Sequence, residues 1–266
     1  MTRDPLTPMT TRWIEGPIAR AVPFYAMGTL VALGLKCFYS RAGVEDLGWI
    51  LRPITGLAHF LTGIRFEHEL GAGWITHAHR MIVGTSCAGL NFMIIVFAAL
   101  YFSFLLRFDL PAARGAWLAI CLASAYLLTV VTNAIRIVVA IHLRDAELHG
   151  AFLGPEGVHR LEGVIVYALS LLLAYLGVEQ LFDRLHQPSR RRLPSFLNPL
   201  GWYAAVALGV PLLRCSFERD ASRYRVHAAV VLSVCAVLAG AAFAIGRIRR
   251  RFPPWHGKNE TTLRGC

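Results

Sequence analysis

Charge is what this sequence has least of. Only 16% of its 266 residues are Asp, Glu, Lys or Arg, against 56% hydrophobic, and the mean hydropathy is +0.51. A soluble domain needs polar faces alternating with apolar ones, and the scarcity of charge excludes that class. Six cysteines, at 37, 87, 121, 215, 235 and 266, include no C-x-x-C pair and no zinc-ligand spacing, so no disulfide framework or zinc module can be read. A Gly-rich phosphate loop, H-E-x-x-H and G-x-S-x-G are all missing. Nothing therefore points to nucleotide use or to a serine or zinc protease. No internal repeat of the kind built into many secondary transporters is evident. Residues 1–20 hold Asp4, Glu15 and three prolines, and no small-residue cleavage site follows the first apolar run, so a cleaved signal peptide is not expected.

What the sequence does have is apolar runs separated by charge. They are Ala21–Tyr39, Leu47–Ile64, Cys87–Leu106, Gly115 to about Leu143, Val158–Phe182, Leu193–Leu213 and Val226–Gly246. Runs of about 18 or more apolar residues read as membrane helices. The expected fold is an all-α polytopic membrane bundle of about seven hydrophobic helices. Leu47–Ile64 carries Arg52, Pro53 and His59 and is the weakest spanning candidate. Residues 64–86 differ in character, with Ile64-Arg65-Phe66-Glu67 alternating and Gly71-Ala72-Gly73 breaking the run. They are expected as a short hairpin or paired extended segment on the membrane surface, leading into Cys87.

The net charge of +11 sits mainly beside the apolar runs, and Arg190–Arg192 and Arg249–Arg251 each stand at a membrane exit. Such clusters set orientation and attract anionic headgroups, so the lipid bilayer is the expected partner and nucleic acid is not needed to explain them. Both triplets fall on the face made by 107–114, 183–192 and the tail after 246, which is assigned to the cytoplasm. Cys87, Arg136 and His159 then share the opposite, extracytoplasmic face. The chain divides into an N-terminal extension (1–20), a core carrying the site (21–182), a C-terminal helix pair (193–246) and a basic tail (247–266) expected to be disordered.

Each of the three residues has a plain explanation as well as a chemical one. Cys87, in Thr85-Ser-Cys-Ala-Gly-Leu-Asn-Phe92, reads as a small buried thiol or as a nucleophile at a helix start, where the dipole favours an anion. Its neighbours Ala88 and Gly89 are small enough to leave room for a substrate backbone. Arg136, in Asn133-Ala-Ile-Arg-Ile137, reads as a headgroup anchor or as a functional cation abutting a long apolar span. Asn133 adds a hydrogen-bonding group one helical step away. His159, in His159-Arg-Leu-Glu-Gly163, reads as a polar helix start or as a base, with His142 and His149 as competitors for that role. A rival cluster, Glu67-His68-Glu69 with His77 and His79, has the H-x-H alternation of a metal site but matches no specific ligand spacing, and no metal or other cofactor is expected.

Taken together, Cys87-Ala-Gly-Leu-Asn, Asn133-Ala-Ile-Arg-Ile and His159-Arg-Leu-Glu-Gly resemble the exosortase/archaeosortase family. The Asn after the Leu, and the Phe-Glu stretch before the Cys, look most like its exosortase K branch. The resemblance covers roughly Leu47 to Leu181, and Arg160 stands where many exosortases place an Asp after the His. It implies a membrane-embedded cysteine peptidase or transpeptidase in the plasma (inner) membrane. Such an enzyme processes exported proteins whose C-terminal sorting signals combine a short motif, a membrane span and a basic tail. It also implies Cys87, Arg136 and His159 as the catalytic set, with Asn133, Gly89 and Asn91 as possible support. A small multipass transporter lined by the same residues, or a membrane acyltransferase, are the alternatives.

Overall fold

A computed structural model describes residues 19–76, 81–145, 155–185, 197–213 and 221–251. Those residues form seven α-helices and one small three-stranded antiparallel sheet, the architecture that the hydropathy pattern implies. The helices are α1 (Val22–Arg41), α2 (Gly48–Thr62), α3 (Leu90–Phe104), α4 (Pro111–Asp145), α5 (Pro155–Leu185), α6 (Leu197–Leu213) and α7 (Ala221–Arg251). Strands β1 (Glu67–Glu69), β2 (Gly73–Thr76) and β3 (Met81–Val83) lie between α2 and α3. His77 and His79 of the rival metal cluster, His149, and the segments 1–18 and 252–266 lie outside the described residues.

Five helical stretches are long and apolar enough to cross a bilayer: Ala19–Arg41, Thr85–Arg107, Pro111–Leu143, Arg160–Leu185 and Tyr224–Ala244. The chain is a multispan membrane protein. At 1.5 Å per residue, the 15 residues of α2 reach only about 22 Å and the 17 of α6 about 26 Å, short of the ~30 Å hydrocarbon core. Leu33, Leu127, Leu173 and Val237 point outward from their helices, as lipid-facing residues do.

α3 is the centre of the bundle. It is apolar all round and buried along nearly its whole length, packed by α1, α4, α5 and α6. The C-terminal pair belongs to the same packing: α6 lies against α3 and α5, and α7 against α5 and α6.

α2 turns Ile50, Leu51, Ile54 and Ala58 toward α4 and the core. Pro53 lacks the N–H that would bond the Trp49 carbonyl one turn back. The Tyr126 hydroxyl of α4 donates to that carbonyl instead, at 3.1 Å, while the two rings stack at 5.7 Å. The kink-prone position thus becomes a cross-link. The helix ends at Gly63 in the left-handed conformation (φ 73°), its N–H returning to the His59 carbonyl.

The sheet is ordered β1-β2-β3, with Glu67 opposite Ile75 and Trp74 opposite Val83. Trp74 and Val83 are buried and fix the sheet on the bundle. Glu45, in the α1–α2 connection, holds the far end by accepting from the Gly71 N–H (3.1 Å) and pairing with His68 (3.2 Å). His68 also packs on Trp74, with ring centroids 4.6 Å apart. Among the described residues, no group of three or more metal-ligating side chains gathers here or elsewhere.

Candidate functional site

The turn that presents Cys87 is built from backbone bonds. Thr85–Cys87 form one 3-10 turn, with Cys87 N–H donating to Gly84 O (2.9 Å) and Ala88 N–H to Thr85 O (3.2 Å). The Tyr39 hydroxyl, near the end of α1, donates to the Thr85 carbonyl at 3.2 Å and ties this turn to the bundle. The α-helix itself begins at Leu90, with Gly89 as its N-cap, so Cys87 sits in the lead-in turn rather than in the first turn of α3. Its side chain is half-buried, and the Ser86 hydroxyl lies 3.9 Å from the sulfur.

Ala88 and Gly89 do not leave room for a substrate, contrary to the expectation from their size. Both are buried, and Gly89 takes the left-handed conformation (φ 67°). The space beside its α-carbon is filled by the Asn133 amide, into which any Cβ would collide. Glycine is required here by both its φ and the close approach of another helix.

Asn133 and Arg136 lie one turn apart on α4 and are joined through α5. Asn133 is buried, its Nδ2 donating to Thr129 O at 2.8 Å. Its Oδ1 accepts from the Tyr167 hydroxyl at 2.7 Å, and that same hydroxyl accepts from Arg136 Nη1 at 3.0 Å. The guanidinium also lies over the Tyr167 ring, 5.4 Å from its centroid, and the other side of the site is closed by Phe92 stacked on Tyr167 at 4.5 Å. Glu162, buried on α5, lies within electrostatic reach of Arg136.

His159 belongs to the start of α5, and its side chain lies outside the described residues. Its backbone stands one helical turn before Gly163, where a Cβ would meet Arg136 Nε at 3.0 Å. Gly163 and Tyr167 lie four residues apart on α5 and both meet Arg136, and His159 precedes Gly163 by the same interval in sequence. Of the competing histidines, His142 is exposed, with Nδ1 2.8 Å from Val138 O in its own helix.

Two spaces meet at Arg136. One is a crevice of about 20 Å³, walled by β3, Cys87, Asn133, Arg136 and the next turn of α4. The other is a cavity of about 370 Å³ between α1, α3, α5, α6 and α7, which Arg136 also borders. Asn91 falls on this second side, accepting from Lys36 Nζ at 2.8 Å, and does not border the Cys87 crevice. Tyr167 is the residue that motif reading passes over; its signal is the four-residue spacing from His159 through Gly163.

A thiol, a guanidinium and a hydrogen-bonded Asn–Tyr pair at one end of the bundle can supply a nucleophile and an anion-stabilising donor to a carbonyl placed in the crevice. Compared with known proteins, the chain matches no family model, no curated protein and no solved structure.

Proposed function

We propose that the protein is a membrane-embedded cysteine peptidase or transpeptidase, acting on exported proteins that carry a C-terminal motif, a membrane span and a basic tail. The observation that supports this reading best is that Cys87 and Arg136, 49 positions apart in sequence, border one crevice, with the guanidinium held in place by Tyr167. A headgroup anchor would extend toward water; this arginine donates to Tyr167 and borders the crevice that Cys87 also lines.

In the proposed reaction His159 takes the proton of the Cys87 thiol, and the thiolate attacks the scissile carbonyl on the way to a thioester. The C–N bond breaks, and the departing amine takes a proton from His159. Arg136 donates to the carbonyl oxygen as it gains charge. Water or an acceptor amine then gives a proton to His159 as it attacks the thioester, and the released Cys87 takes that proton back. The crevice, at about 20 Å³, has room for about one water, far less than a peptide fills. β3 is the outer strand of its sheet, paired on one side with β2, and it is joined to Cys87 by three residues.

The test is co-expression with a reporter ending in a short motif, an apolar span and basic residues. Wild-type chain should yield a product lacking the span, and Cys87→Ser should leave the reporter whole. Transport predicts that Cys87→Ser retains much function, because no covalent chemistry is needed. A radiolabelled acyl chain on the product would instead favour acyl transfer.

A further inference from the structure

The sheet beside Cys87 has two edges of opposite character. β1 forms one and carries Glu67 and Glu69, and charged side chains on an edge oppose further pairing. β3 forms the other, and its Met81, Ile82 and Val83 carry no charge. Val83 is buried in the core, while Ile82 points the opposite way and is 56% exposed. Along a strand the N–H and C=O groups turn alternately to its two neighbours. Part of the β3 backbone therefore bonds β2, and the rest faces the open edge. Among the described residues, no strand lies against that edge. The same three residues border the crevice that Cys87, Asn133 and Arg136 also line, and only Gly84, Thr85 and Ser86 separate Val83 from Cys87.

An uncharged, apolar strand edge is a template for one more strand. We propose that the substrate peptide binds as that strand, pairing its backbone with the open edge of β3 so that its scissile carbonyl reaches the crevice at Cys87. The choice of ligand rests on the peptidase reading, and the surface itself rests on the sheet. A peptide bond open to attack must leave any helix, and its freed N–H and C=O groups then need new partners at the membrane surface. The β3 edge supplies them, whatever the side chains of the peptide. The added strand lies outside the crevice, which has to admit only the reacting carbonyl oxygen. About 20 Å³, room for about one water, suffices for that. A second copy of this chain paired to β3 would occupy the approach to Cys87, so the position favours a peptide.

The experiment uses the full chain in membranes, carrying Ile82→Cys together with Cys87→Ala so that the reporter stays whole. The probe is the reporter of motif, apolar span and basic residues, with a single cysteine walked residue by residue through the segment before its span. Residues directly opposite across a strand pair have Cβ atoms about 5 Å apart, and successive residues face opposite ways. Disulfide formation should therefore peak at one reporter position, persist weakly two residues away and be missing at the positions between. In an otherwise wild-type chain, Ile82→Lys should lower processing about fivefold, the loss of one apolar cross-strand pair. Leu70→Lys, at a turn residue 87% exposed and outside the strands, should leave processing unchanged. Thermal midpoints of both variants should match wild type, and should Ile82→Lys not fold, the cross-link pattern decides alone. No cross-link at any position, or equal cross-linking at consecutive positions, would overturn the proposal whether or not the reporter is processed. Equal processing by wild type and a folded Ile82→Lys would do the same. A disulfide between two chains at position 82, undiminished by reporter, would assign the edge to a dimer instead. The peptidase reading fails separately: alternating cross-links to a reporter that the wild-type chain never cleaves would keep the added strand and remove the chemistry.

Discussion

Arg136 packs its guanidinium stem against the α-carbon of Gly163, so closely that a Cβ there would stand 3.0 Å from Nε. That contact sets the separation of α4 and α5 at the site and directs the guanidinium to Tyr167. Gly163→Ala should therefore displace the guanidinium by a few tenths of an ångström. Overpacking of this size costs about 1–3 kcal/mol at most, and the helix itself favours alanine over glycine by about 1 kcal/mol. The variant should remain folded, with a thermal midpoint near that of wild type and a reduced rate of reporter processing. Unchanged processing would show that the position of Arg136 is not critical.

Tyr167→Phe tests the bridge itself. Phenylalanine keeps the stacking on Phe92 and loses only the hydroxyl that joins Asn133 to Arg136. Leaving the buried Asn133 oxygen without that donor should cost about 1–3 kcal/mol of stability. Processing should fall further than stability does, by up to about 10²-fold, because a catalytic group displaced by about 1 Å loses that much. A lowered melting temperature with normal turnover would make Tyr167 a packing residue.

The architecture was legible in the sequence because a bilayer demands long apolar runs, and such runs leave little ambiguity. Boundaries were less so. The apolar run begins at Cys87, yet the α-helix starts three residues later, since Gly89 adopts a left-handed conformation that composition does not reveal. Ala88 and Gly89 looked like space for a substrate and are instead space for Asn133, a contact 44 residues away that periodicity cannot show. The second strand pairing, β2 with β3, likewise depends on tertiary placement of Trp74 and Val83. The larger cavity was not legible at all, because its lining is drawn from six separate helices.

Accessibility of Cys87 tests the assigned orientation. In a variant keeping Cys87 as its one cysteine, a membrane-impermeant maleimide added from outside should label it. The converse variant, keeping only Cys121, should resist labelling until the protein is unfolded, because that side chain is 0% exposed within α4. Labelling of Cys87 only after the inner face is opened would invert the topology.

The role of Arg136 is separable from lipid anchoring by a substitution that keeps its charge. An anchor needs a cation on a long stem, which Arg136→Lys supplies. The site uses more than charge: Nη1 donates to Tyr167, the guanidinium carbon lies 5.4 Å from the centre of that ring, and the same side chain borders the Cys87 crevice. Only a planar fork of donors meets these demands together, and an ammonium cannot reproduce it. Removing one donor to a developing oxyanion costs about 10²–10³ in turnover. Arg136→Lys should accordingly leave the protein folded and in the membrane while uncleaved reporter accumulates, nearly as it does for Cys87→Ala. Pulse-labelled reporter followed over time reads this directly. Near-normal processing in the lysine variant would return Arg136 to the headgroups and leave Cys87 without its anion-stabilising partner.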